Sequence, residues 1–308
     1  EFEQLHPNVD VLLEGHGSIQ VIRHITELHD EVDLAAVADH SLLPMLMYTA
    51  QLPDNRGGYA DWTIRFATNK LGLAYTPKSA YSDEINSENW YKILSMADVN
   101  IGFSDPRFDA CGYRAFMLLK LAEDYYDDNN IFEKLIVYNF NSRIKVTVDE
   151  GVVTITVPEL LESTEKRIFM RGFSVQLLAL LESHEIDYAF QYESVAKQLG
   201  LQFLELPPEI DLSSNSFADQ YRQVRVRLDF RRFASVIPEF IGQPIVYGIT
   251  IPRNAPHPKE AIQFMEFILG PDGQRILSQE YQPPMVPPIV DNKTKMPSEL
   301  SLLVEQFQ

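Results

Sequence analysis

Three short segments of this chain each set a small or carboxylate-bearing residue where a helix begins: Gly15-His16-Gly17-Ser18, Phe108-Asp109-Ala110-Cys111-Gly112 and Arg171-Gly172-Phe173-Ser174. Each leads into apolar positions with helical spacing, and the first two follow runs that read as strands. Strand, turn and helix in that order place the chain in the α/β class, with open mixed sheets and helices on both faces. A helix N-terminus leaves amide hydrogens unsatisfied and carries roughly +0.5 of a charge. Several such ends converging on one cleft would hold an anion without lysine or arginine. That pattern points to a binding protein more than to an enzyme.

Residues 1–6 read as the tail of a helix that stops before Pro7-Asn8. Val9–Leu13 alternates like a strand. Ile19, Ile22, Ile25 and Leu28 mark one face of a helix capped by Ser18, and Leu34–Ala38 has the short apolar form of a buried parallel strand. Further strands are expected over 64–75, 100–103, 188–192, 201–206, 224–228 and 246–251, with a hairpin joining 146–148 to 152–157 through Asp149-Glu150-Gly151. Helices are expected at 89–94, from Cys111, over 175–181, from Ser194 and over 258–269, the last with Pro258 at its start and Gly270 at its end. The proline-rich remainder, with Pro283, Pro284, Pro287 and Pro288, reads as extended chain over a surface.

At 308 residues the chain is long enough for two lobes. Its formal net charge of −18 argues against nucleic acid as a partner. The same charge repels small anions at long range, so an anion site here must work through short-range dipoles and hydrogen bonds. The single cysteine, Cys111, excludes an internal disulfide and a cysteine-based metal cluster. No run of about 18 apolar residues crosses a membrane. Nor does a charged-then-apolar leader open the chain, so any signal or anchor would lie outside it. His24 and His29 are five apart, which a helix directs to different faces, and no Gly-x-Ser-x-Gly elbow or P-loop occurs. Cys111 at a helix start could have a lowered pKa, the sole argument for a nucleophile.

Tyr81-Ser82-Asp83-Glu84-Ile85-Asn86, Asn89-Trp90-Tyr91, Ile101-Gly102-Phe103-Ser104, Cys111-Gly112-Tyr113-Arg114, Glu185-Ile186-Asp187-Tyr188, Tyr192-Glu193-Ser194-Val195-Ala196, Pro244–Ile249 and Gln282-Pro283-Pro284 together resemble the tungstate/molybdate-binding components of ABC importers. The similarity keeps its order over nearly the whole chain. It implies a two-lobed, type II periplasmic-binding-protein-like fold that closes on an oxyanion and delivers it to a membrane permease. One lobe would be 1–69 with 248–308, the other 70–247. The location implied is extracytoplasmic, at the cell surface or in the periplasm, with membrane contact only through the permease or an N-terminal anchor. No cofactor beyond the bound tungstate or molybdate is expected.

The resemblance also assigns roles. Gly17 and Ser18 would donate to oxyanion oxygens from one lobe; from the residues alone, Ser18 is equally a plain helix cap. Asp109 matches the family carboxylate that reaches the metal of the oxyanion, although an Asp cap fits the sequence just as well. A carboxylate beside an anion makes sense if W(VI) or Mo(VI) acts as a hard Lewis acid and expands its coordination. Ala110 and Cys111 would supply backbone amides. Tyr192 matches a cleft-facing tyrosine, or is an amphipathic core residue. Arg114, one turn into its helix, reads as half of a structural ion pair, and His16 borders the first loop.

Two departures from the family pattern stand out. Its members begin with a further strand and a Gly-Ser loop, and the resemblance implies that this sequence starts after them. Ser174 stands where the family usually places a glutamate on the metal, which implies fewer carboxylate contacts and weaker rejection of sulfate. The alternatives are a receptor for sulfate or phosphate, a ligand-sensing domain of a regulator and, third, an enzyme with Cys111 as nucleophile.

Overall fold

Between Thr68 and Leu71 the polypeptide leaves one sheet and enters another, and at Ile245-Val246 it returns. The computed structural model describes residues 1–141, 143–230 and 238–307. Two compact units result, Glu1–Thr68 with Val246–Gln308, and Asn69–Ile245.

The first unit is built on a five-stranded sheet in the order Ala35–Val37, Val246–Thr250, Ile64–Thr68, Pro284–Val290, Glu305–Gln306. Ile64, Phe66 and Ile249 are buried with Trp62 and Val290 against Ala261, Met265 and Leu269, which recur every fourth residue along the helix Pro258–Leu269. Ile19, Ile22 and Ile25 give the helix Ser18–Thr26 its buried face. Gly248 is required by close approach, since a Cβ there would lie 2.7 Å from the His40 Cα.

Several expectations change here. Val9–Leu13 forms no strand: no strand among the described residues pairs with it, and Leu12 and Leu13 are exposed. Ala35–Val37 runs antiparallel to its sheet neighbour among the described residues, Val246–Thr250, not parallel. Ser18 is the first helical residue and Gly17 the cap. The proline-rich tail is a strand, antiparallel to Ile64–Thr68 with its register shifting between Pro284 and Ile289; prolines, which cannot donate to a ladder, fit at such an irregularity. An unforeseen helix, Pro271–Gln279, precedes it.

The second unit holds two sheets. One has the order Ile168–Arg171, Ile101–Ser104, Tyr188–Tyr192, Leu71–Tyr75, Gln202–Leu204; the other has Glu239–Ile241, Val224–Leu228, Val152–Val157, Lys145–Asp149. The helix Ala110–Tyr126 packs on both. It is buried on nearly every face along its first three turns, as expected of a helix apolar all round. Phe103 and Phe190 stack beneath it with ring centroids 4.8 Å apart. No helix among the described residues is long and apolar enough to cross a membrane.

Both chain crossings are tied to one turn of the second unit. Asn69 N donates to Ile245 O at 3.3 Å, Leu71 N to Asp211 O at 2.9 Å and Ile245 N to Leu212 O at 2.7 Å. Burial pushes the Asp211 carboxyl from an ordinary 3.8 up to about 6, against the hydrogen bonds it accepts from Ser213. A carboxyl whose folded pKa is raised favours folding when protonated. Its contribution is full below about pH 4 and is lost as pH rises through about 6. Asp211→Asn should therefore lose less stability than wild type between about pH 4 and 7, by on the order of 2 kcal/mol. Urea unfolding at the two pH values checks this; parallel losses in both proteins would contradict it.

Candidate functional site

Strand Ile101–Ser104 is parallel to both its neighbours, so three strands, including Ile168–Arg171 and Tyr188–Tyr192, end on one edge of the sheet. In open α/β sheets ligands bind at such carboxyl ends. Beyond Ser104 the chain turns sharply. Asp105 N donates to Arg171 O at 2.7 Å, and Phe108 N and Asp109 N both donate to Asp105 O at 3.0 Å. Arg107 holds the Asp105 carboxylate, with Nε 2.8 Å from Oδ1. The turn delivers Asp109, in extended conformation, to the N-cap of the helix Ala110–Tyr126.

Asp109 Oδ2 accepts a hydrogen bond from Ser174 N at 2.9 Å, across 65 residues of sequence. Burial raises the Asp109 pKa, opposed by the Ser174 amide, the Ser104 hydroxyl and the Cys111 amide. The amides of Ala110 and Cys111 lie in the first helical turn, where no carbonyl of their own helix can reach them. Gln191 Nε2 donates to Ser174 O at 3.1 Å, and its Oε1 accepts from Tyr192 N at 2.9 Å. Arg114 Nη1 donates to Tyr192 Oη at 2.9 Å. Asp109, Ala110, Cys111 and Ser174 thus lie together, and Gln191 links Ser174 to the Tyr192 backbone. Among the described residues no group of three His, Cys, Asp or Glu side chains could hold a metal ion. One buried carboxylate with several amide hydrogens instead suits an anion that carries its own electrophilic centre.

The expectation of a lowered thiol pKa at Cys111 is overturned. The thiol is fully buried, donates to Phe190 O at 3.4 Å, and is pushed upward first by burial and then by the Asp109 charge. Burial outweighs the helix N-terminus, and the nucleophile reading loses its basis.

Two residues, Ser104 and Gln191, and one contact, Arg114–Tyr192, escaped the sequence reading. Gln191 left a signal, being the lone amide in the buried run Tyr188-Ala189-Phe190-Gln191-Tyr192. Ser104 left none. Gly112 has a firm steric role, because a Cβ there would lie 2.3 Å from Ser104 O and 2.7 Å from Pro106 N. Gly112→Ala should push the first turn of the helix away from the strand end and destabilise the protein by about 1–3 kcal/mol, the range of overpacked cores. A melting temperature within one degree of wild type would contradict that geometry.

In the first unit Gly17 is the extended N-cap of Ser18–Thr26, with φ −60 and ψ 144. Ser18 is buried, and its Oγ accepts from Ala38 N at 3.1 Å, which leaves its hydroxyl proton to donate. The His16 ring stacks on His24, centroids 4.4 Å apart.

The profile of bacterial extracellular solute-binding proteins matches residues 1–281. A solute-binding protein of Methanoculleus marisnigri is 42% identical over 305 residues, covering 99% of this chain and 81% of the relative. The molybdate/tungstate-binding protein WtpA of Pyrococcus abyssi is 38% identical over 294 residues, covering 95% of this chain and 79% of its own length. Among solved structures, the periplasmic molybdate-binding protein of Azotobacter vinelandii superposes with a TM-score of 0.53 at 15% identity, covering 91% of this chain and 90% of the other, a likeness of fold.

Proposed function

Because this chain belongs to the bacterial extracellular solute-binding protein family, we propose that it captures tungstate or molybdate and delivers it to the permease of an ABC importer, outside the cytoplasm. The two compact units act as its lobes. Asp109 gives the metal centre its protein oxygen. The amides of Ala110 and Cys111, the Ser174 turn and the Tyr192 phenol surround the oxo groups, and Gly17 and Ser18 are further donors in this reading. No bond in the ion is broken.

One observation carries this reading: a buried carboxylate stands at a helix N-terminus where three parallel strands end, joined to the Ser174 amide. It is supported by the likeness to relatives named for molybdate and tungstate. Helix ends offset the added negative charge. Ser174 offers a hydrogen bond and no second carboxylate, so the ion stays close to tetrahedral and sulfate competes measurably.

Calorimetric titration tests both parts. Tungstate and molybdate should bind more tightly than sulfate, with sulfate still detectable. No binding of tungstate would remove the reading. Tight tungstate binding with negligible sulfate binding would leave the receptor and defeat the role given to Ser174.

A further inference from the structure

Ser104 ends the strand Ile101–Ser104 directly beneath the first turn of the helix that Asp109 caps. It has no exposed surface, and its Oγ has no hydrogen-bond partner among the described residues. A buried hydroxyl without a partner costs free energy that an alanine would not, so its presence needs a reason. Its position is fixed: the Ser104 carbonyl presses on the helix where Gly112 lacks a side chain. The hydroxyl lies close enough to the Asp109 carboxylate and the Cys111 thiol to favour the charged form of each, yet meets hydrogen-bond geometry with neither. The other polar groups nearby are already engaged, Gln191 with Ser174 and Tyr192, and the Ser174 amide with Asp109.

We infer that Ser104 is a positioning residue for oxyanion capture: when Asp109 turns one oxygen to the metal of the guest, the Ser104 hydroxyl donates to the other. The inference rests on the role proposed for Asp109. Asp109 Oδ2 is held by the Ser174 amide. Bringing an oxygen to the guest reorients the carboxylate, and the oxygen left inside needs a donor. Ser104 supplies one from a rigid strand end, fixing which oxygen faces outward. Outer partners of this kind typically change metal affinity 10–100-fold.

The test is a double-mutant cycle of Ser104→Ala and Asp109→Asn, titrated with sodium tungstate, with unfolding followed in ligand-free protein. Ser104→Ala should weaken tungstate binding about 10–100-fold yet melt no lower than wild type, since no hydrogen bond is lost. In the Asp109→Asn background it should add nothing. Tungsten-edge absorption should show one fewer oxygen neighbour, or a longer one, in Ser104→Ala. Unchanged tungstate affinity in Ser104→Ala, additive effects in the double variant, or a lowered melting temperature without ligand would each overturn the inference. Failure of the Asp109 reading has a separate signature, namely undiminished tungstate binding in Asp109→Asn alone.

Discussion

Replacing Asp109 with asparagine should weaken tungstate binding by at least about a hundredfold, while the ligand-free protein melts no lower than wild type. The two halves of this expectation have different causes. Asparagine keeps a carbonyl oxygen for the Ser174 amide, which now donates to Asp109 Oδ2 at 2.9 Å. It also removes a carboxylate whose pKa burial raises. With a raised folded pKa, ionisation at neutral pH opposes folding, so neutralising the group favours the folded state. For the guest the change is severe. A hard W(VI) centre loses its one anionic protein oxygen, and a neutral amide oxygen is a poor substitute. Outer partners alone are worth about 10–100-fold in metal sites, so loss of a direct ligand should exceed that. Titration calorimetry and thermal unfolding measure the two effects. A large fall in ligand-free stability with binding retained would recast Asp109 as a structural cap.

Ser174→Glu should raise the ratio of sulfate to tungstate dissociation constants at least about tenfold. Ser174 meets Asp109 through its backbone amide, so the change leaves that hydrogen bond available while placing a second carboxylate in the site. Tungsten can accept another oxygen ligand by expanding its coordination. Sulfur in sulfate cannot, and sulfate meets only added repulsion. Two carboxylates this close oppose each other's ionisation, so the ligand-free variant should lose stability of about 1–3 kcal/mol. Competition titrations at fixed ionic strength give the ratio. If tungstate and sulfate weaken in step, the second carboxylate acts by charge alone and the coordination argument fails.

Much of the fold was legible where local pattern and long-range packing agree. The helix Pro258–Leu269 has its proline, its glycine and its four-residue apolar spacing all in place. The hairpin Lys145–Asp149 with Val152–Val157 follows from alternation around Gly151. Elsewhere the partner decides. Val9–Leu13 alternates like a strand, but alternation stabilises nothing without a neighbour to pair with, and Leu12 and Leu13 lie exposed. The prolines of Pro284–Val290 argued against a strand, yet the irregular register with Ile64–Thr68 accommodates residues that cannot donate.

The site divides the same way. Asp109 was readable as a helix start, whereas Ser174 stands two residues before Gln176–Glu182 and outside its cap; that the two residues touch was not readable, since 65 residues separate them. Cys111 shows the limit of arguing from a helix end. The dipole effect is local and modest, while full burial of the thiol acts more strongly in the opposite direction. Ser104 and Gln191 act only through neighbours that the tertiary fold supplies.

The most direct test of the central claim is a crystal of the protein grown with tungstate and measured at the tungsten edge. The account predicts one anomalous peak within about 2.0–2.4 Å of an Asp109 oxygen, by analogy with hard metal–oxygen distances. The amides of Ala110 and Cys111 and the Ser18 hydroxyl should lie within hydrogen-bond reach of its oxo groups. A peak remote from Asp109, or no peak with tungstate in excess, would contradict it.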